Sequence, residues 1–139
     1  MSAWLNGKGV TNMGGYFGHI EEDTLENTFF RKVLFTAPHS QLVLMSLKVG
    51  EEIGMEVHTE NDQFFRFEQG KGKVIINGEE YEVTDGDAII VPAGSQHNVI
   101  NTGDVELKLY TIYSPAHHPE GTIHKTKEEA MEAEKAEEH

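Results

Sequence analysis

The chain has no cysteine, and that absence excludes disulfides, thiolate metal ligands, iron–sulfur clusters and a Cys nucleophile together. Any metal must therefore be held by imidazole, carboxylate or amide groups. There is also no apolar run near the ~20 residues that a membrane span requires. The first 30 residues carry Glu21, Glu22, Asp23 and Glu26 where a signal peptide would be apolar. The expectation is a cytoplasmic protein with no membrane partner. Positive charge is scarce as well: 11 Lys and Arg stand against 24 Asp and Glu, for a formal net charge of -13. Such a chain repels phosphate backbones, because nucleic-acid affinity comes largely from Lys and Arg displacing counterions. No nucleic-acid partner is expected.

What is present suits one globular domain. At 139 residues and 37% hydrophobic content the chain can bury one core, and is too short for two. From residue 31 to residue 113 it runs as short segments rich in β-branched and aromatic residues, punctuated by Gly, Asn, Asp and Pro. That is an all-β pattern, with strands predicted over 32–36, 41–49, 55–60, 63–69, 73–76, 79–83, 88–91, 97–100 and 107–113. Asn77-Gly78 between two strands signals a two-residue hairpin, since a type I′ turn needs positive φ at both central positions. Gly70-Lys71-Gly72 and Asp85-Gly86-Asp87 mark further turns. Many strands with short connections and no helical period favour a closed barrel or a two-sheet sandwich.

The ends read differently. Residues 1–30 place Trp4, Tyr16, Phe17, Phe29 and Phe30 among Gly and Asn, which predicts an arm laid over the barrel or a partner subunit. The barrel then spans 31–115. Residues 116–139 make a loop and an acidic helix, with Thr126 to Glu129 matching a capping box and Ala130, Met131, Ala133 and Ala136 as helix formers.

His58 and Glu60 are two apart on a predicted strand, so both project from one face. Asn61-Asp62 breaks that strand, which allows Gln63 to face the same interior from the next one. Later come Gly86, Pro92, Gly94, His97 and Asn101, with the Pro-Gly turn delivering His97 to the start of a strand.

These residues resemble the two motifs of the cupin superfamily, small double-stranded β-helix (jelly-roll) barrels. The second motif, Gly, Pro-x-Gly, His, Asn, matches at Gly86, Pro92, Gly94, His97 and Asn101. The first motif, Gly, His-x-His, Glu, Gly, lies between Gly50 and Gly70 with three departures. The interval from Gly50 to His58 is two residues long of the usual, Glu60 stands where the family has a second His, and Gln63 stands for its Glu. More loosely, the chain resembles small cupins of the mannose-6-phosphate isomerase-like kind.

What the resemblance implies is one divalent metal ion, Zn, Mn, Ni or Fe, held by His58, Glu60, Gln63 and His97. Two imidazoles with a carboxylate suit those ions. Phe65 and Phe67, with Tyr110 from the last strand, would wall a pocket. A polar barrel mouth without an ion, binding a small molecule, stands beside this reading. Lewis-acid chemistry on a small oxygen-rich metabolite, of the sugar isomerase or lyase kind, would use Glu60 as base if it does not ligate. An Fe(II) dioxygenase and a noncatalytic ligand-binding barrel are the alternatives, and the residues alone do not separate enzyme from binder. The resemblance also implies a homodimer, which could cover Met55, Val57 and Phe64 on the outward face. His117, His118 and His124 read as solvated loop residues, as do His19 and His39.

Overall fold

The computed structural model describes residues 14–137; Trp4 of the expected arm lies outside the described residues. A short helix α1 (Ile20–Glu26) leads into ten strands, β1 (Arg31–Thr36), β2 (Gln41–Leu47), β3 (Glu56–Val57), β4 (Asp62–Gln69), β5 (Lys71–Ile76), β6 (Glu79–Thr84), β7 (Ala88–Val91), β8 (Gln96–Asn101), β9 (Leu107–Ser114) and β10 (Ile123–His124), and then a second helix, α2 (Lys127–Glu137). They form two antiparallel sheets, one of six strands in the order β10-β1-β2-β9-β4-β7 and one of four in the order β3-β8-β5-β6. The fold is the expected all-β jelly roll with a C-terminal helix.

Turn chemistry sets the register. Asn77 at φ 48° and Gly78 at φ 87° make the two-residue turn that pairs Ile76 with Glu79. Period-two alternation then sends Val43, Met45 and Leu47 of β2, Phe65 and Phe67 of β4, and Leu107, Leu109 and Tyr113 of β9 into one core. Val74, Val83 and Val99 close it from the smaller sheet. Where Gly72 of β5 faces this core, a Cβ would sit 2.8 Å from Leu107 Cδ2 and 2.9 Å from the Ile100 carbonyl, so only hydrogen fits.

Three sequence expectations need correction. The strand predicted over 55–60 is only two residues long, because Thr59 and Glu60 already turn toward Asn61. Helix is not confined to the C-terminus: α1 packs against β2, β4 and β9. Next to it, the Asn27 carbonyl accepts from Lys108 Nζ at 2.6 Å and the Phe29 carbonyl accepts from the Ser46 amide at 3.2 Å. The segment read as an unsupported histidine loop also contains β10, which pairs with β1.

At the C-terminus the capping box forms, with Glu129 N donating to Thr126 Oγ1 and Lys125 N donating to Glu129 Oε1, both at 3.1 Å. On the outer face of the large sheet, Phe35, Leu42, Ile112, Phe64 and Ile90 stand in one register row across five strands.

Candidate metal centre

Glu56 of β3 pairs directly with His97 of β8, so their side chains leave the small sheet side by side. His58 follows two residues after Glu56 and keeps the same facing. The ligand atoms of Glu56, His58 and His97 all lie within 4.8 Å of one another. The two imidazole centroids are 5.2 Å apart, and His58 Nε2 is 3.3 Å from Glu56 Oε1.

The turn before β8 fixes both histidines. Gly94 at φ 85° occupies a conformation that favours glycine, and its amide donates to the His58 carbonyl at 2.9 Å. The Ala93 amide donates to Asp62 Oδ1 at 2.9 Å. His97 Nδ1 is 3.1 Å from the Ser95 carbonyl. A carbonyl can only accept, so Nδ1 carries the hydrogen and, in the neutral ring, Nε2 presents a bare lone pair. Orienting a ligand histidine by hydrogen-bonding its other nitrogen is how metal sites fix the tautomer.

Electrostatics agree with that assignment. Burial lowers the His97 pKa, outweighing the Ser95 carbonyl, and so favours the neutral ring. Burial pushes the Glu56 carboxyl upward, but His58 at 3.3 Å, with the charges of Arg31 and His97, outweighs it and holds it below the usual carboxylate range. An anionic Glu56 beside a neutral His97 ring suits a divalent cation.

Buried donors and acceptors normally find partners. Here His58 Nε2, His97 Nε2 and Gln63 Oε1 are buried without a hydrogen bond, while Gln63 Nε2 donates to Thr111 Oγ1 at 3.0 Å. Two imidazoles with the Glu56 carboxylate are the donor set of a borderline divalent ion. The residues fit the metal that the fold implies.

Glu60 is not in this cluster. It lies exposed in the turn after β3, because that strand ends at Val57 and the alternation that would have aligned Glu60 with His58 stops there. Glu56, two residues before His58, takes the position instead. Tyr110 also changes face: it is half-buried on the outside, 6.2 Å from the Phe64 ring, while Tyr113 points inward opposite Gln63. Both parities of β9 carry apolar residues, so its sequence gave no sign of which faced in. Phe65 underlies the centre edge-on to His97 at 6.3 Å, and Phe67 stacks behind it, 6.3 Å from Phe65. Asn101 is structural, its amide bonded to the Leu47 and Val105 carbonyls.

The histidine loop roofs the centre instead of trailing in solvent. Buried Gln41 accepts from the His117 and His118 amides at 3.2 and 3.0 Å and donates to the His118 carbonyl at 2.8 Å. Asn61 Nδ2 donates to the Pro115 carbonyl at 2.6 Å. Clamped in this way, the His117 ring lies 4.2 Å from His58 and 5.3 Å from Tyr113. His118 Nε2 lies 3.3 Å from the Tyr113 hydroxyl. Burial first, then the charges of Arg31 and the neighbouring histidines, drive the His118 pKa down to about 2. Burial raises that of Tyr113, which stays a protonated donor. The sequence signal for this roof was Gln41, a polar residue on an otherwise apolar strand.

Comparison with known proteins gives the same architecture. The chain is 49% identical over 122 residues to the uncharacterized protein YrkC of Bacillus subtilis, covering 84% of this chain and 66% of that protein. It is 46% identical over 113 residues to the uncharacterized protein L612 of Acanthamoeba polyphaga mimivirus, covering 78% and 70%. The crystal structure of BH2720 from Bacillus halodurans superposes with a TM-score of 0.85 at 46% identity, covering 88% of this chain and 98% of that one. Residues 43–113, the span that holds both histidines and the Pro-Gly turn, match the Cupin_2 family, described as Cupin domain; the chain belongs to the cupins.

Proposed function

We propose that this cupin holds one divalent metal ion through Glu56, His58 and His97, with the Gln63 amide oxygen as a fourth donor, and takes a small oxygen-rich metabolite beside it. The single observation that carries this reading is the convergence of the Glu56, His58 and His97 ligand atoms within 4.8 Å of one another. When bound, a divalent ion with one carboxylate ligand leaves about one positive charge to polarise a carbonyl or hydroxyl of the ligand, the Lewis-acid role of such ions. Phe65 supplies an apolar floor and excludes water from beneath His97. Tyr113 keeps its proton and offers it as a hydrogen bond.

Sugar isomerase or lyase chemistry would also need a base. Glu60 is too exposed to serve a centre built around Glu56. The shifted groups around the centre, Glu56, His97, His118 and Tyr113, all move away from neutrality, whereas a general base works best with its pKa near the operating pH. That observation favours a second reading, a barrel that binds its metabolite without turning it over.

Elemental analysis of untagged protein, before and after chelation and reloading, tests the proposal. About one ion per chain is expected, lost in His97→Ala; no metal in either state would end it.

We also infer that a second copy covers the outer row Phe35, Leu42, Ile112, Phe64 and Ile90. The row is apolar and continuous, and Ile90 remains 62% exposed. Light scattering should give a dimer for the wild type and a monomer for Ile90→Lys; a monomeric wild type refutes it.

A further inference from the structure

Arg31 opens β1 opposite Met45 and His124 and shares the inward face with Met45, which is wholly buried. Its side chain is itself 2% exposed. A guanidinium has five N–H donors and no means of losing its charge. Here NH1 meets His124 Nδ1 at 3.2 Å, an uncharged acceptor in that contact, and Nε has no hydrogen-bond partner. The Phe30 ring lies 5.3 Å from the guanidinium carbon. No carboxylate among the described residues pairs with Arg31; the ion pairs there join His58 to Glu56, Arg66 to Glu68 and Lys73 to Glu80. A buried cation that no carboxylate contacts directly is unfavourable unless something supplies that contact.

We propose that Arg31 anchors the anionic end of the molecule that the barrel takes, a carboxylate or phosphate oxyanion gripped by the guanidinium fork while the rest of the molecule reaches the Glu56–His58–His97 centre. This deepens the small-metabolite reading above and rests on it. The guanidinium lies on the inward face of the six-stranded sheet that also carries the buried Gln63, Thr111 and Tyr113. His124 is half-buried, so the NH1 end lies one side chain in from the surface, where an entering oxyanion can replace the ring. Planar bidentate recognition of carboxylate and phosphate is the use for which arginine is better suited than lysine. In a chain of net charge -13, a local cation is what draws an anion to this spot.

The test is thermal unfolding of the full chain, chelator-treated, at fixed ionic strength, with sodium phosphate or sodium malonate replacing chloride. Wild type should show a saturable rise in Tm with one of the two anions, and the responding arm tells phosphate from carboxylate. Arg31→Met should lose that rise, with an apparent Kd weakened at least about tenfold. It should unfold in chloride no earlier than wild type, because an apolar side chain of similar size removes a buried charge that no carboxylate contacts directly. Equal anion responses in both proteins, or none in either, overturn the proposal. So does an Arg31→Met protein much less stable in chloride that Arg31→Lys restores, the mark of a purely structural arginine. Should Arg31→Met not fold, Arg31→Lys carries the test, with weakened anion binding expected and unchanged binding overturning it. Mn(II) stoichiometry on the same samples separates the two readings. Anion binding through Arg31 without any metal sinks the metal centre alone, whereas one Mn(II) per chain with anion binding indifferent to Arg31 sinks this proposal alone.

Discussion

One end of the barrel is filled by Leu47, Phe67, Val74, Val83, Leu107 and Leu109, at most 6% exposed, and its polar side chain Asn101 has its amide and carbonyl both satisfied. The other end buries His58, Gln63, His97, Thr111 and Tyr113 just as deeply. Yet three of its side-chain atoms, His58 Nε2, Gln63 Oε1 and His97 Nε2, lack a hydrogen-bond partner, and the Nε of Arg31 is a fourth such buried atom. Among the described residues the fifth such atom is Arg66 Nε on the outer face, 3.5 Å from Glu68. Similar burial with unequal hydrogen-bond satisfaction distinguishes the two ends.

Substitution should expose that contrast most strongly at the apolar end. Phe67→Ala removes a fully buried ring and should cost about 3–5 kcal/mol in denaturant unfolding, with the folded fraction still competent for metal. His97→Ala should do the reverse, abolishing metal binding while costing less than about 1.5 kcal/mol without metal. Equal losses from the two variants would erase the distinction.

Acid offers a second way to sharpen it. His118 has a folded pKa of about 2 against about 6.5 when unfolded, so the fold favours its neutral ring. Its contribution is complete above about 6.5 and is lost as pH falls from there toward about 2. The lowered values of Glu56 and His97 act in the same sense. The metal-free protein should therefore lose stability steadily on acidification, and His118→Gln should flatten the curve. An unchanged slope would mean that His118 is more solvated than its packing against Tyr113 indicates.

The parts of the molecule legible in sequence are those governed by turn chemistry. Asn77-Gly78, the Pro92 to Gly94 turn and the strands they delimit fell where glycine and proline required them. So did His97, because a turn delivers it. Strand parity was legible only where a strand was long enough to keep it. Alternation carried forward from His58 pointed to Glu60, but the strand had ended; carried backward it reaches Glu56, inside β3 and opposite His97. Tyr110 and Tyr113 differ by three residues, hence lie on opposite faces, and with apolar residues at both parities the neighbouring strand had to decide. Arg31 and the histidine roof depend on contacts between residues 76 to 93 apart in the chain, which no local pattern encodes.

The central claim is the identity of the carboxylate that meets the two imidazoles. It is tested most directly by Mn(II) stoichiometry of Glu56→Gln and Glu60→Gln measured side by side with wild type. The geometry predicts about one ion per chain for wild type and for Glu60→Gln, with binding by Glu56→Gln weakened at least about tenfold. Full occupancy in Glu56→Gln with loss in Glu60→Gln would contradict it.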